Sequence, residues 1–149
     1  MAFERTFHVS WAHLDANGHM ANSAFLDLVV DVRFMHFAEQ GFTPAEFARL
    51  RIGPVIRRDE VDYYREMHLL QQVRVTHALA GLSEDASRFR MRNELFRPDG
   101  EMAARITTLG GWFDRAARKL VAPPEKLAAA LRSLERTPDF EALPSSLRG

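Results

Sequence analysis

The sequence predicts an α+β domain in which a curved antiparallel sheet wraps one long helix, and two observations carry that prediction. The segment Asn22 to Gln40, NSAFLDLVVDVRFMHFAEQ, has helical spacing and is apolar around most of its circumference. After Gly53 the apolar period changes from 3.6 to 2 and holds through four segments. A helix that is apolar on several sides needs cover on several sides, and a sheet curved around it supplies that cover.

Each element follows in order. Phe3, Phe7, Val9 and Trp11 keep an odd-position apolar rhythm that reads as a strand, interrupted by Arg5. A polar loop, WAHLDANGHMANSAF, leads into the helix, where Phe25, Leu28, Val29 and Val32 share one face and Leu26, Val30, Phe34 and Phe37 cover much of the rest. Asn22 or Ser23 can cap its start, and Gly41 is a natural stop. TPAEFARL then reads as a short helix with Thr43 as cap and Pro44 in its first turn.

PVIRRDEVDYYREM and QVRVTHALAGL read as strands, the second with Val73, Val75, His77 and Leu79 on one side. In RFRMRNELF, Phe89, Met91, Asn93 and Leu95 alternate with Arg88, Arg90, Arg92 and Glu94, the clearest strand pattern in the chain. RPDG is a turn, because proline presets one dihedral and glycine accepts a positive one, so MAARITTLGGWFD should pair antiparallel. Gly110 and Gly111 suggest a bulge or bend there. PPEKLAAALRSL closes residues 1–137 as one domain, and residues 138–149, PDFEALPSSLRG, with little periodicity, read as a tail lying on the surface or partly disordered.

The bulk numbers bound the function. At 149 residues the chain fits one domain of the usual size. Twenty basic and twenty acidic residues cancel, which argues against nucleic-acid binding by bulk charge and against a polybasic membrane anchor. Without cysteine there is no disulfide, thiolate nucleophile or zinc–thiolate site. No basic leader precedes an apolar run, and no window approaches the ~18 apolar residues of a membrane span, so a cytoplasmic protein is expected. Open sheet edges make a homodimer or homotetramer the expected assembly.

The segment DANGHMANSAFL, followed by DLVVDVRF and by VDYY on the next strand, resembles the hotdog-fold acyl-CoA thioesterases of the 4-hydroxybenzoyl-CoA thioesterase type. The likeness runs from about Phe3 to Leu127 and includes the RPDGEMAA hairpin and the W-x-D-x-x-x-R-K-x-V-x-P-P ending at Trp112 to Pro124. It implies that Asp15 is the catalytic carboxylate, as nucleophile or general base, and that the backbone N–H of Asn22 polarises the thioester carbonyl. It also implies an acyl-CoA as partner and no cofactor beyond the coenzyme A of the substrate. Physical chemistry supports both roles, since a helix N-terminus offers unpaired N–H groups and a positive dipole end to a developing oxyanion, and a nearby carboxylate can attack or deprotonate.

Gly18 is expected to make the turn that brings acid and helix end together, with His19 bracing the loop. Met20 and Phe25 flank the loop and are candidate acyl-pocket residues, while Arg88, Arg90 and Arg92 are candidates for the phosphates of coenzyme A, alongside Arg57, Arg58 or Arg65. A metal site through His13, Asp15 and His19 is not expected. Asp27 and Asp31 are rival carboxylates by analogy with another hotdog lineage, but Asp31 lies nine residues beyond Asn22, about 13 Å along the helix. His77 and Asn93 are expected as hydrogen-bonded core groups. Where many relatives carry His or a second Asn, this chain has Ala21, and where they often carry a Gly-Asp pair it has Leu70 and Gln71. Other readings of the same fold are an acyl-carrier-protein thioesterase, a hydratase or dehydratase, and a non-catalytic acyl-CoA-binding protein.

Overall fold

The structure, a computed structural model, describes residues 2–147. In chain order it contains β1 (Phe3–His8), a 3₁₀ turn (Trp11–His13), α1 (Asn22–Glu39), α2 (Pro44–Leu50), β2 (Ile52–Tyr63) and β3 (Gln72–Ser83). There follow β4 (Arg88–Phe96), β5 (Met102–Asp114), β6 (Lys119–Val121), α3 (Glu125–Arg132) and β7 (Arg136–Leu143). The strands form one sheet in the order β1-β3-β4-β5-β2, with β6 paired to β5 and β7 paired to β3. All pairings are antiparallel except β3 with β7. A curled sheet lies against one long helix, which is the hotdog arrangement.

The period-2 residues do what alternation predicts. Val73, Val75, His77 and Leu79 of β3 and Phe89, Met91, Asn93 and Leu95 of β4 are all buried on the helix side. Two packed clusters fill the space between sheet and helices. One gathers Phe37, Phe42, Phe47, Phe89 and Trp112 with α3, and the other gathers Val29 and Val32 of α1 with Val73, Val75, Leu95 and Ile106. Thr43 caps α2 through its side chain, with Pro44 at the helix start.

Several expectations need correction. Trp11 does not extend β1 but sits in the 3₁₀ turn, 79% exposed. Ala21, not Asn22 or Ser23, is the N-cap of α1, and no side chain of the described residues caps that end. The expected tail from residue 138 is a strand as far as Leu143: β3 is covered by β1 along Gln72–His77, and β7 takes the rest of that edge from Leu79 onward. The last two residues of the expected tail, 148 and 149, lie outside the described residues. The irregularity foreseen at Gly110–Gly111 falls on the partner strand, where the register shifts between Ile56 and Arg58 opposite Gly110 and Leu109. Finally, α1 is not wholly apolar inside, since it buries Arg33 and His36 while leaving Val30 and Met35 more than a third exposed.

Candidate active site

The acid loop is a small closed turn. Leu14 and Met20 form an antiparallel bridge, the Asp15 N–H donates to the His19 carbonyl at 2.9 Å, and the Gly18 N–H donates to the Asp15 carbonyl at 3.0 Å. Gly18 has φ +76°, a left-handed conformation that glycine adopts without steric cost, so the turn closes around it. The Asp15 side chain shapes the loop as well, with Oδ1 accepting from the Asn17 N–H at 2.8 Å and the His19 N–H at 3.3 Å. Both bonds use Oδ1, so among the described residues Oδ2 is uncommitted. Asp15 is exposed to solvent.

Beyond the loop the chain is pinned to the β2–β3 connection. The Met20 N–H donates to the Met67 carbonyl at 2.8 Å, and His19 pairs with His68 as an antiparallel bridge. The Ala21 N–H donates to the His13 carbonyl at 2.7 Å, which sets the entry into α1. With no side-chain cap at that helix start, the first-turn N–H groups keep the acceptor-seeking character of an open helix end.

Asp15, His19, Met20, Asn22 and Phe25 line one open hollow of about 320 Å³ together with Tyr63, Tyr64, Arg65 and Glu66. Five candidates named from sequence therefore meet in one place, with Gly18 in the turn behind them. The four residues that run from the last position of β2 into the following turn were not assigned to an acyl or catalytic site from sequence. Their only signals were the VDYY segment and the inclusion of Arg65 among alternative phosphate contacts. The Tyr63 hydroxyl donates to the Asn22 carbonyl at 2.9 Å, and its ring meets Phe25 edge-on at 5.4 Å. Partial burial pushes the Tyr63 phenol up, which keeps it a donor. At the rim, Arg65 Nε lies 3.0 Å from Glu101 Oε2.

The arginines of β4 do not reach this hollow in the single chain. They stand on the sheet face opposite the buried Phe89, Met91, Asn93 and Leu95. Arg90 pairs with Glu141 at 2.9 Å and Arg92 with Asp139 at 2.7 Å, both acids on β7, while Arg88 lines a separate hollow with Val55, Ile56 and Leu120. The Arg92 guanidinium holds the Asp139 carboxyl down to about 2. Asp27 and Asp31 are exposed along α1 and are not among the residues lining the acid hollow.

His77 and Asn93 form part of a largely buried polar line between α1 and the sheet. Asn93 Nδ2 lies 2.9 Å from both the Thr76 carbonyl and His77 Nδ1, and Arg33 donates to Asn93 and to Thr108, which in turn donates to Asp59. Among the described residues, His77 Nε2 and His36 Nδ1 are buried without a partner. His13 is engaged with the Ser10 N–H at 3.0 Å, so the set His13, Asp15 and His19 is not gathered as ligands. The metal-capable group among the described residues is instead His19, Glu66 and His68, whose ligand atoms lie within 4.8 Å of one another.

The fold has close relatives in shape. A hypothetical protein from Staphylococcus aureus, solved in complex with CoA, is similar at a TM-score of 0.82 and 20% identity over 92% of this chain and 87% of that one. A 1,4-dihydroxy-2-naphthoyl-CoA thioesterase from Synechocystis is similar at 0.79 and 16% identity, over 90% and 98% of the two chains. A gentisyl-coenzyme A thioesterase is similar at 0.76 and 16% identity, over 86% and 98%. No curated protein matches the chain. The family model of the thioesterase-like superfamily matches residues 9–131, from the residue after β1 into the last turn of α3, and the chain belongs to that superfamily.

Proposed function

We propose that this chain hydrolyses an acyl-CoA to a free acid and coenzyme A, with Asp15 as nucleophile or general base and the Asn22 N–H as oxyanion donor. One observation carries the reading: an acid with a free carboxylate oxygen and an uncapped helix start line the same hollow. The thioester carbonyl would sit at the start of α1, where the N–H group stabilises the negative charge that develops on oxygen. Attack by Asp15 gives an acyl–aspartyl anhydride and expels the CoA thiolate, and water then cleaves the anhydride. Alternatively Asp15 takes a proton from the attacking water. Met20 and Phe25 supply apolar cover for the acyl group. The names of the structural relatives, two CoA thioesterases and a CoA complex, support the same substrate class.

For the phosphates, this chain offers Arg65 at the rim, and the row Arg88, Arg90 and Arg92 serves where a second copy brings it to the mouth. A homodimer or homotetramer is supported by β2, a 12-residue edge strand with Val55, Ile56 and Tyr63 exposed. A cytoplasmic setting is supported by the absence of cysteine, and no helix of the described residues is long and apolar enough to cross a membrane. The test is thiol release from a panel of aromatic and aliphatic acyl-CoAs by wild type and by Asp15→Asn, with folding checked by circular dichroism. Turnover of some member, falling about a hundredfold or more in the variant, is expected. A silent panel, or a variant that matches wild type, overturns the reading in favour of a carrier-protein or non-catalytic role.

A further inference from the structure

We infer that His19, Glu66 and His68 bind a divalent transition-metal ion of the zinc class, and that the ion braces the acid loop against the β2–β3 connection. The three side chains come from two backbone segments that are already paired, through the His19–His68 bridge and the Met20 to Met67 hydrogen bond. His19 Nε2 lies 3.3 Å and His68 Nε2 3.9 Å from the same oxygen, Oε2 of Glu66. Ligands on a tetrahedral zinc, with bonds of about 2.0–2.1 Å, stand about 3.3–3.4 Å apart, so one edge of the set is already at that length. Of the other two edges, His68 to Glu66 needs about half an ångström of closure, and the two imidazole nitrogens already lie within 4.8 Å of each other. Glu66 and His68 are 63% and 50% exposed, so their side chains have the freedom to supply it.

A plain ion pair accounts for less of this geometry. At 3.9 Å the His68 nitrogen is too far from Glu66 to hydrogen-bond it, yet both imidazoles converge on one carboxylate with ring centroids 5.0 Å apart, edge to face. Two imidazoles and one carboxylate are the donor set of zinc, cobalt and nickel rather than of calcium or magnesium, which take oxygen. Three protein ligands leave the remaining positions to water or a substrate group.

His19 also transmits the effect. Its carbonyl accepts from the Asp15 N–H and its own N–H donates to Asp15 Oδ1, so fixing its ring fixes the turn that carries the acid. The inference does not depend on the thioesterase reading, because binding is measured without substrate.

The experiment uses the full chain without an affinity tag, stripped of metal with a chelator. CoCl₂ alone is titrated by visible absorption and ZnCl₂ alone by calorimetry. One equivalent with a Kd of about 10 μM or tighter is expected, weakened at least about tenfold in His68→Ala and in Glu66→Gln, and unchanged in His8→Ala. Zinc should also slow hydrogen exchange of the amides in residues 15–20 in wild type and leave it unchanged in His68→Ala. Binding weaker than about 1 mM, or binding that survives both substitutions, overturns the site. Zinc binding without slower exchange in the loop overturns the bracing.

Discussion

The Tyr63 hydroxyl donates to the Asn22 carbonyl at 2.9 Å and thereby ties the last residue of β2 to the first residue of α1. The helix start proposed to hold the oxyanion is therefore positioned by a side chain from the sheet, and Phe25 packs edge-on against the same ring.

Tyr63→Phe keeps the ring and removes only this bond. The Asn22 carbonyl is open to water at the hollow, so stability should fall by about 1 kcal/mol or less. The helix start loses its tether, and kcat for the acyl-CoA that wild type turns over should fall by about tenfold with KM little changed. Denaturant midpoints and steady-state kinetics separate the two effects. An unchanged kcat would remove Tyr63 as a positioning residue.

Acid stability should be set partly by two buried histidines. Burial pulls His77 well below its ordinary 6.5, with His36 and Arg33 adding repulsion. Burial also lowers His36, with Glu39 opposing and Arg5 assisting. Asn93, Ser133, Phe3 and the Thr108–Asp59 pair complete the surroundings. The unfolded chain takes up protons on these rings more readily than the folded one, so their contribution is fully present above pH about 6.5 and is lost as pH falls toward the depressed values. The slope is at most about 1.4 kcal/mol per pH unit for each ring. Asp85 and Asp139, whose carboxyls are also depressed, act only below their ordinary 3.8. Urea unfolding at pH 7.5, 6 and 5 should show wild type losing more stability than His77→Gln, and equal losses would refute the assignment.

What could be read in advance was set by range. β4 and the RPDG turn follow from local alternation and local dihedral preference, and the acid loop follows from a compact motif. β7 escaped because its exposure does not alternate cleanly and its support is distant in sequence: the edge of β3 and the pairs Arg90–Glu141 and Arg92–Asp139. Trp11 fits the strand rhythm without belonging to β1, because an apolar residue at the next odd position looks the same in a strand and in a turn. Tyr63 and Glu66 joined the site only because β2 ends beside α1, a juxtaposition of residues about 40 apart that no local pattern encodes.

Leu70 occupies a position that suits another residue. It has φ +68° and is 71% exposed, in the turn that leads into β3. The turn survives through the Leu70 N–H to the Val9 carbonyl at 2.8 Å and the Gln71 N–H to the His68 carbonyl at 3.1 Å. A branched apolar side chain in the left-handed region costs about 1–2 kcal/mol, whereas asparagine tolerates it. Leu70→Asn should therefore raise stability by about 0.5–1 kcal/mol with little burial lost. A lower denaturant midpoint would show that Leu70 makes contacts worth more than the strain.

Gly110 is where the sheet has no room to give. A Cβ there would stand 2.5 Å from the Val55 carbonyl oxygen and 2.8 Å from Phe89 Cζ, one of them backbone and the other a fully buried ring. The neighbour in register is Ile56, beside the bulge of β2, so the pairing already shifts register next to this glycine. Gly110→Ala should push β2 away from β5 and lower stability by about 2–3 kcal/mol. Because β2 ends in Tyr63, the same displacement should loosen the tether on Asn22 and reduce turnover in the protein that still folds. Gly53→Ala serves as the control, since a Cβ at Gly53 meets nothing within 4 Å. Equal denaturant midpoints for the two variants would show that β2 can move freely and that the bulge does not position the site.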